Sequence, residues 1–170
     1  KGTLVINSRV IERDNLYPFK GGKFTHVVLG ERVCAIGANT FNGCSELECI
    51  TFLGTISSVG NKAFYDCPKL SRFEGESVSS DHRCIVLNGN RLVAFAPAGI
   101  TSYKIPDTIT TIENYAFIKC SALEKIIIPD TVSEIGEYVF ESCTALSEVN
   151  LPDSVIDIKS SAFRDCTNLK

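Results

Sequence analysis

Apolar residues recur along this chain with a period of 23 residues. The string Phe-x-x-Cys-x-x-Leu occurs at Phe41/Cys44/Leu47, Phe64/Cys67/Leu70, Phe117/Cys120/Leu123, Phe140/Cys143/Leu146 and Phe163/Cys166/Leu169. Successive copies are 23 residues apart, except for an interval of 53 residues between the second and the third. That interval leaves 30 residues for one further turn of unusual length. A fixed period of this size is typical of repeat proteins that stack identical units.

Each repeat has a strand pattern followed by a helix-like pattern. Apolar residues follow the Leu at +3 and +5, as at Ile126 and Ile128, and this alternation predicts a short strand with one buried face. A Pro then ends the strand because it cannot donate the next ladder hydrogen bond. From Ile135 to Cys143 the apolar residues fall at i, i+4, i+5 and i+8, which predicts a short helical turn.

Neither element can bury its apolar face alone, so the repeats must stack into a solenoid. The predicted fold class is therefore α/β, with parallel strands on the concave face and short helical turns on the convex face. One solenoid is predicted over residues 1–170. It comprises a degenerate first turn at 1–23, two repeats at 24–69, an irregular turn at 70–99 and three repeats at 100–170, truncated at the C-terminus.

The irregular turn carries a hairpin signal within residues 84–95. Asn88-Gly89 lies between two apolar runs, and a type I′ turn needs positive φ at both of its central residues. We predict that this hairpin replaces the helical half of the turn and that Pro97 and Gly99 return the chain to register. A loop without strand pairing is the alternative interpretation.

The repeat L-x-x-I-x-I-P-x-x-V-x-x-I-G-x-x-A-F-x-x-C resembles the BspA-like, treponemal-type leucine-rich repeat. The resemblance covers about residues 24–170 and is most regular from Leu123 to Cys143. The interrupting hairpin is also similar to one found among family members. Departures are the missing Pro at Gly30 and Leu53, the replacement of Gly by Glu113 and Lys159, and the absence of the Phe and Cys from the irregular turn.

The resemblance implies a right-handed solenoid from a bacterial cell-surface or secreted protein that acts in adhesion and protein binding. It thus implies a protein ligand, such as a host or extracellular-matrix protein, and an extracellular or cell-surface location. An alternative role is a structural spacer in a larger surface protein, with no ligand of its own.

Composition and charge exclude several other classes of function. The net charge of −3 argues against nucleic-acid binding, which needs a cationic face. No apolar run approaches the roughly 18 residues of a membrane span, so we expect no membrane insertion by this segment. Only two His are present, His26 and His82, and no phosphate-binding glycine loop occurs. We therefore expect neither catalytic residues nor a cofactor.

The eight cysteines allow two interpretations. Five recur once per repeat, which does not gather ligands around a metal and favours small buried side chains. Disulfides between repeats are the alternative, although side chains at identical positions point in parallel. Cys34, Cys49 and Cys84 are out of register, so we expect their thiols to react more freely.

Two surfaces are candidates for ligand binding. The first consists of the outward strand positions, +2 and +4 from the start of each turn, because solenoids bind along an extended concave sheet. These residues are His26, Val28, Cys49, Thr51, Arg72, Glu74, Ser102, Lys104, Lys125, Ile127, Glu148 and Asn150. The second is the hairpin tip at Asn88, Gly89, Asn90 and Arg91. A merely solvated sheet face is the alternative for the first surface.

Overall fold

The computed structural model describes residues 2–7 and 19–170, and most of the predicted degenerate first turn lies outside them. Fourteen short strands make up the regular structure of the described residues. They are β1 (Thr3–Ile6), β2 (His26–Leu29), β3 (Ala35–Ile36), β4 (Cys49–Phe52), β5 (Ser58–Val59), β6 (Arg72–Glu74), β7 (Cys84–Leu87), β8 (Arg91–Phe95), β9 (Ser102–Lys104), β10 (Thr111–Ile112), β11 (Lys125–Ile127), β12 (Glu134–Ile135), β13 (Glu148–Asn150) and β14 (Asp157–Ile158).

The first strand of each turn stacks in parallel on the first strand of the next. These strands form two sheets, β1-β2-β4-β6 and β9-β11-β13. The register joins residues 23 positions apart, so that Tyr103, Ile126 and Val149 lie side by side. We call the outward side of these two sheets the first-strand face. The period read from the sequence is thus the spacing of one turn of a β-solenoid.

The predicted helical turns, and with them the α part of the α/β assignment, are wrong. No helix occurs in residues 2–7 and 19–170. In the segment read as helical, Tyr138 and Ser142 have φ values of 56° and 61°, which no right-handed helix allows. The Phe140 N–H donates to Ala162 O of the next turn at 2.7 Å instead of to a carbonyl four residues back. The chain therefore curves through a left-handed turn and satisfies its backbone between turns.

The irregular turn contains an antiparallel pair of strands, β7 and β8. Asn88 and Gly89 have φ values of 53° and 75° between them, as the Asn-Gly pair predicts. The hairpin takes part in the stack of second strands. β8 also pairs in parallel with β10, where Leu92 lies beside Ile112. The hairpin therefore supplies the second strand of its turn, and the left-handed turn that would follow is missing.

The core is a column of aromatic rings enclosed by aliphatic side chains. Phe140 lies between Phe117 and Phe163, with ring centroids 5.2 and 5.1 Å away. Phe95 continues the column, with its centroid 4.6 Å from that of Phe117. The irregular turn lacks the repeat Phe, and Phe95 of its hairpin thus occupies the position that the repeat Phe has in the other turns.

Seven of the cysteines are buried free thiols, and all of these except Cys49 belong to the core clusters: Cys44, Cys49, Cys67, Cys84, Cys120, Cys143 and Cys166. Four of the five repeat thiols have a specific partner, because Cys44, Cys67, Cys143 and Cys166 each donate to a Phe carbonyl of the preceding turn. Cys67 reaches Phe41 O, and Cys143 reaches Phe117 O, each at 3.1 Å. The expectation of higher reactivity is wrong for Cys49 and Cys84, which are buried, whereas Cys34 is exposed.

Candidate binding surfaces

Strand register places the predicted face residues in two rows on each sheet. On the first sheet, His26, Cys49 and Arg72 form one row and Val28, Thr51 and Glu74 form the other. On the second sheet the rows are Ser102, Lys125 and Glu148, and Lys104, Ile127 and Asn150. The first-strand face is thus a pair of three-by-two patches, one on each sheet. Cys49 is the exception within it, because its side chain is buried.

A hydrogen-bond chain crosses the first patch. Thr51 Oγ1 donates to Glu74 Oε2 at 3.0 Å, and His26 Nε2 lies 2.9 Å from the same hydroxyl. Since the single hydroxyl hydrogen is committed to Glu74, His26 Nε2 must carry its own proton and donate. Arg72 Nε donates to Glu74 Oε1 at 2.9 Å. The hydrogen bonds from Arg72 and Thr51 lower the pKa of Glu74.

Ion pairs also occupy the second patch. Lys125 pairs with Glu148 on the next strand, and Lys104 pairs with Asp107, three residues later, at 3.1 Å. Ser102, Lys104, Glu148 and Asn150 are exposed. The charged groups of this patch are therefore accessible to solvent, and each lysine is neutralised by a neighbouring carboxylate.

Residues 79–83 lie at the junction of the two sheets. The Phe73 N–H of β6 donates to His82 O at 2.8 Å, and Tyr103 of β9 donates its hydroxyl to Asp81 Oδ2 at 2.8 Å. Burial raises the pKa of Asp81, but hydrogen bonds from Ser79, the Arg83 N–H and Tyr103 outweigh it, so the net shift is downward. His82 Nδ1 lies 3.1 Å from Phe73 O, which ties the ring to the backbone. This contact serves the junction of the sheets.

The hairpin borders a groove of about 520 Å³. Its walls come from separate turns: Thr55, residues 76–80, Val86, Asn88 and Gly89, and Pro106 with Thr108. Two of the four predicted hairpin residues, Asn88 and Gly89, thus line this hairpin groove. Asn90 and Arg91 instead tie the hairpin to the next turn, through Thr110 at 3.1 Å and Glu113 at 2.6 Å.

A cluster of tyrosines and lysines on the left-handed turns was not predicted from the sequence. The rings of Tyr115 and Tyr138 are parallel, with centroids 5.1 Å apart. Lys62 Nζ lies 4.9 Å from the centroid of Tyr115, and Lys119 Nζ lies 5.1 Å from that of Tyr65. Tyr115 and Tyr138 are 23 residues apart, and this spacing is the signal that could have found them.

The family of the chain follows from comparison with known proteins. The family model of the BspA type leucine rich repeat region matches six copies over residues 15–82 and 91–170. The chain belongs to this family. Comparison with curated proteins finds no match. Between its two matched ranges the family model leaves out residues 83–90, which hold β7 and the hairpin turn, whereas β8 lies inside the second range.

One solved structure supports this assignment of the fold, and a second is reported for its sequence similarity. A leucine rich cell surface protein from Faecalibacterium prausnitzii A2-165 is 22% identical, with a TM-score of 0.64, over 85% of this chain and 46% of that one. The leucine rich repeat protein of T. pallidum is 31% identical, with a TM-score of 0.45, over 85% of this chain and 56% of that one. The chain thus spans about half the length of either protein.

Residues 2–7 and 19–170 contain no grouping of three or more His, Cys, Asp or Glu side chains suited to a metal ion. Within the same residues no helix has the length and apolar character to cross a bilayer.

Proposed function

We propose that this leucine-rich-repeat chain is a non-enzymatic module of a cell-surface or secreted protein, and that it binds a protein ligand. The observation that carries the proposal is the hairpin groove. Regular stacking of identical turns makes a continuous surface, whereas the insertion opens about 520 Å³ between turns. That volume lies within the range of ligand-binding clefts, about 300–1,000 Å³.

The lining of the groove suits a segment of polypeptide. The lining combines the hydroxyl residues Thr55, Ser79 and Thr108 and the carboxylate of Glu76 with the apolar residues Val86 and Pro106. Such a mixture can hydrogen-bond a peptide backbone and pack against its side chains. The proposed ligand is therefore a loop or extended segment of a host or extracellular-matrix protein.

The first-strand face is the second proposed contact surface. Arg72 and Lys104 are exposed there, and Lys125 is half-buried. Each basic group already pairs with a neighbouring carboxylate, so a ligand gains little from charge alone. We propose that this face positions the ligand and contributes to specificity, and that the groove contributes most of the affinity.

An extracellular or cell-surface location is proposed from one relative. The Faecalibacterium prausnitzii protein is described as a leucine rich cell surface protein, and this chain has the same fold. The paired charges of the first-strand face support the second candidate, a spacer role without a ligand.

Thr108→Arg tests the groove. Thr108 is an exposed residue of the groove wall, so a long side chain there fills the space without touching a core residue. We expect binding to immobilised extracellular-matrix proteins, measured by surface plasmon resonance, to weaken at least about tenfold, the loss of a small group of interface contacts.

Thr144→Arg is the matched control, since Thr144 is also exposed but lies outside the groove. Arg72→Glu and Lys125→Glu test the first-strand face in the same assay. Unchanged binding in Thr108→Arg would exclude the groove. Absence of binding to every matrix protein by the unmodified chain would favour the spacer role.

A further inference from the structure

Backbone hydrogen bonds join the left-handed turns into a ladder. The N–H groups of Asn39, Phe41 and Gly43 donate to the carbonyls of residues 61, 63 and 65 at 2.8–3.0 Å. The same three bonds recur after the irregular turn, from 115, 117 and 119 to 137, 139 and 141, and again 23 residues later, from 138, 140 and 142 to 160, 162 and 164. Each turn thus presents three donors on one side and three acceptors on the other.

The ladder is interrupted at the irregular turn. Two turns face each other across the interruption, and we call their edges the donor wall and the acceptor wall. The 23-residue period assigns the N–H groups of Lys62, Phe64 and Asp66 to the donor wall. It assigns the carbonyls of residues 114, 116 and 118 to the acceptor wall. Within residues 2–7 and 19–170, none of these six groups has a hydrogen-bond partner. The cause is β8, which runs straight from Arg91 to Phe95 and forms no left-handed turn. We call the space between these walls the ladder gap.

Side chains cross the ladder gap in place of backbone. Lys62 Nζ lies over the ring of Tyr115 and 3.8 Å from Glu141, and Lys119 Nζ lies 2.7 Å from Asp66 Oδ1. With these lysines in place the free space is about 30 Å³, which holds about two water molecules. Two lysines and two carboxylates balance, so the gap does not select for a charged ligand.

We propose that the ladder gap binds a short peptide segment of a partner protein, which displaces the two lysines and pairs with both walls as a substitute rung. Its carbonyls accept from Lys62, Phe64 and Asp66, and its N–H groups donate to the carbonyls of residues 114, 116 and 118. An anion would satisfy only the donor wall, and a cation only the acceptor wall. A polypeptide backbone satisfies both, as in strand addition to a sheet edge.

The floor of the gap restricts the side chains of the peptide. Val93, Ala94 and Phe95 lie beneath the walls, and Phe95 already fills the place of the repeat Phe beside Phe117. A large inward side chain therefore has no room, and the peptide carries small residues at its inward positions. This site is separate from the hairpin groove and the first-strand face, so it does not rest on the proposed function.

The probe is an acetylated, amidated hexapeptide with the sequence of residues 114–119 and Ala in place of Phe117. Residue-resolved amide exchange by NMR is measured with and without it. At a peptide concentration about ten times Kd, exchange at Lys62, Phe64 and Asp66 should slow about tenfold, because only the free fraction exchanges. Exchange at Tyr115, Phe117 and Lys119 should not change, since these amides are already bonded.

N-methylation of the probe separates backbone pairing from side-chain contact. A methyl group on the nitrogen at the position of Phe117 removes a donor to the acceptor wall and should abolish binding. A methyl group at the position of Ala116 removes no bond between turns, because that amide bonds within its own turn, and should leave binding in place. Equal loss with both peptides would overturn the proposed arrangement.

Lys62→Ala tests the displacement of the lysines. The peptide no longer has to separate Lys62 from Tyr115, so affinity should rise about two- to fivefold. Lys69→Ala, which removes another lysine paired with a carboxylate but lies outside the ladder gap, is the control and should leave affinity unchanged. Unchanged or weaker binding in Lys62→Ala would contradict the displacement. The site itself is excluded if about 1 mM peptide causes no protection, or protects only the equivalent donors of the last turn, Ser161, Phe163 and Asp165.

Discussion

At the residue scale, the repeated cysteine combines small size with a weak donor. Its position is buried, and its thiol reaches the carbonyl of the Phe three residues before the Cys of the preceding turn. Ala would lack the donor, and Ser would bury a more strongly hydrated group. The sequence predicted the buried location from phase alone. The hydrogen bond depends on how one turn packs on the next. The spacing of residues within one repeat does not predict that packing.

Burial of these thiols makes stability depend on alkaline pH. Burial raises the pKa of Cys67 and of Cys84 to about 12, whereas an unfolded thiol has a pKa of about 8.5. Above the unfolded value, the unfolded chain loses the proton that the folded chain retains. The free energy of unfolding contributed by these groups is therefore complete below about pH 8.5 and is lost as pH rises toward about 12.

The free energy of unfolding should fall less steeply with rising pH in Cys67→Ala and in Cys84→Ala. Each substitution should reduce the slope by up to roughly 1.4 kcal/mol per pH unit. Urea unfolding followed by circular dichroism at several alkaline pH values measures it. Val139→Ala, a core cavity without a thiol, is the control and should lower stability equally at every pH. A slope that the cysteine variants leave unchanged would contradict the buried, protonated thiols.

At the element scale, the left-handed turn explains why a helix was predicted wrongly. The apolar spacing from Ile135 to Cys143 fits a helical stripe, but two residues of positive φ fold the same positions inward. The corresponding residues of other turns include Lys62, Tyr115 and Ser161, whose types do not favour a left-handed conformation. The bonds between turns impose it. The hairpin was predicted correctly for the opposite reason, since Asn88-Gly89 favours its turn locally.

The hairpin turn should be sensitive to a β-branched residue at its second central position. Gly89→Val places a branched side chain at a φ of 75°, which costs roughly 1–2 kcal/mol, although nothing lies within 4 Å of a Cβ there. Faster amide exchange in β7 and β8, with a lower urea midpoint, would record this strain. Asn88→Gly is the control and should be nearly neutral, because Gly suits the same turn position. Equal effects of both variants would contradict the type I′ conformation.

At the scale of the whole molecule, the insertion divides the solenoid. The buried side chains form two clusters, one reaching from Ile6 to Ala96 and the other from Cys84 to Cys166. Within the described residues, the first-strand sheet breaks between β6 and β9, and the turn ladder breaks between 66 and 114. Since each turn of a solenoid is stabilised mainly by its neighbours, the two halves should lose structure separately.

A pair of core variants tests this division. Phe140→Ala should cost about 3–5 kcal/mol and accelerate amide exchange mainly in residues 100–170. Phe41→Ala, equally buried in the other cluster, should accelerate it mainly in residues 24–74. Uniform acceleration by either variant would indicate one cooperative unit. The two experiments control each other, because the substitution and the burial are the same.

The sequence by itself determined the 23-residue turn, its first strand, the buried Phe and Cys, the family resemblance and the hairpin. Each of these depends on residue type and spacing within a short stretch, where local preferences and burial act together. The tertiary structure alone decided the left-handed turns, the entry of β8 into the second sheet, the hairpin groove and the ladder gap. These features arise from hydrogen bonds and packing between turns, and from the absence of one turn among its neighbours.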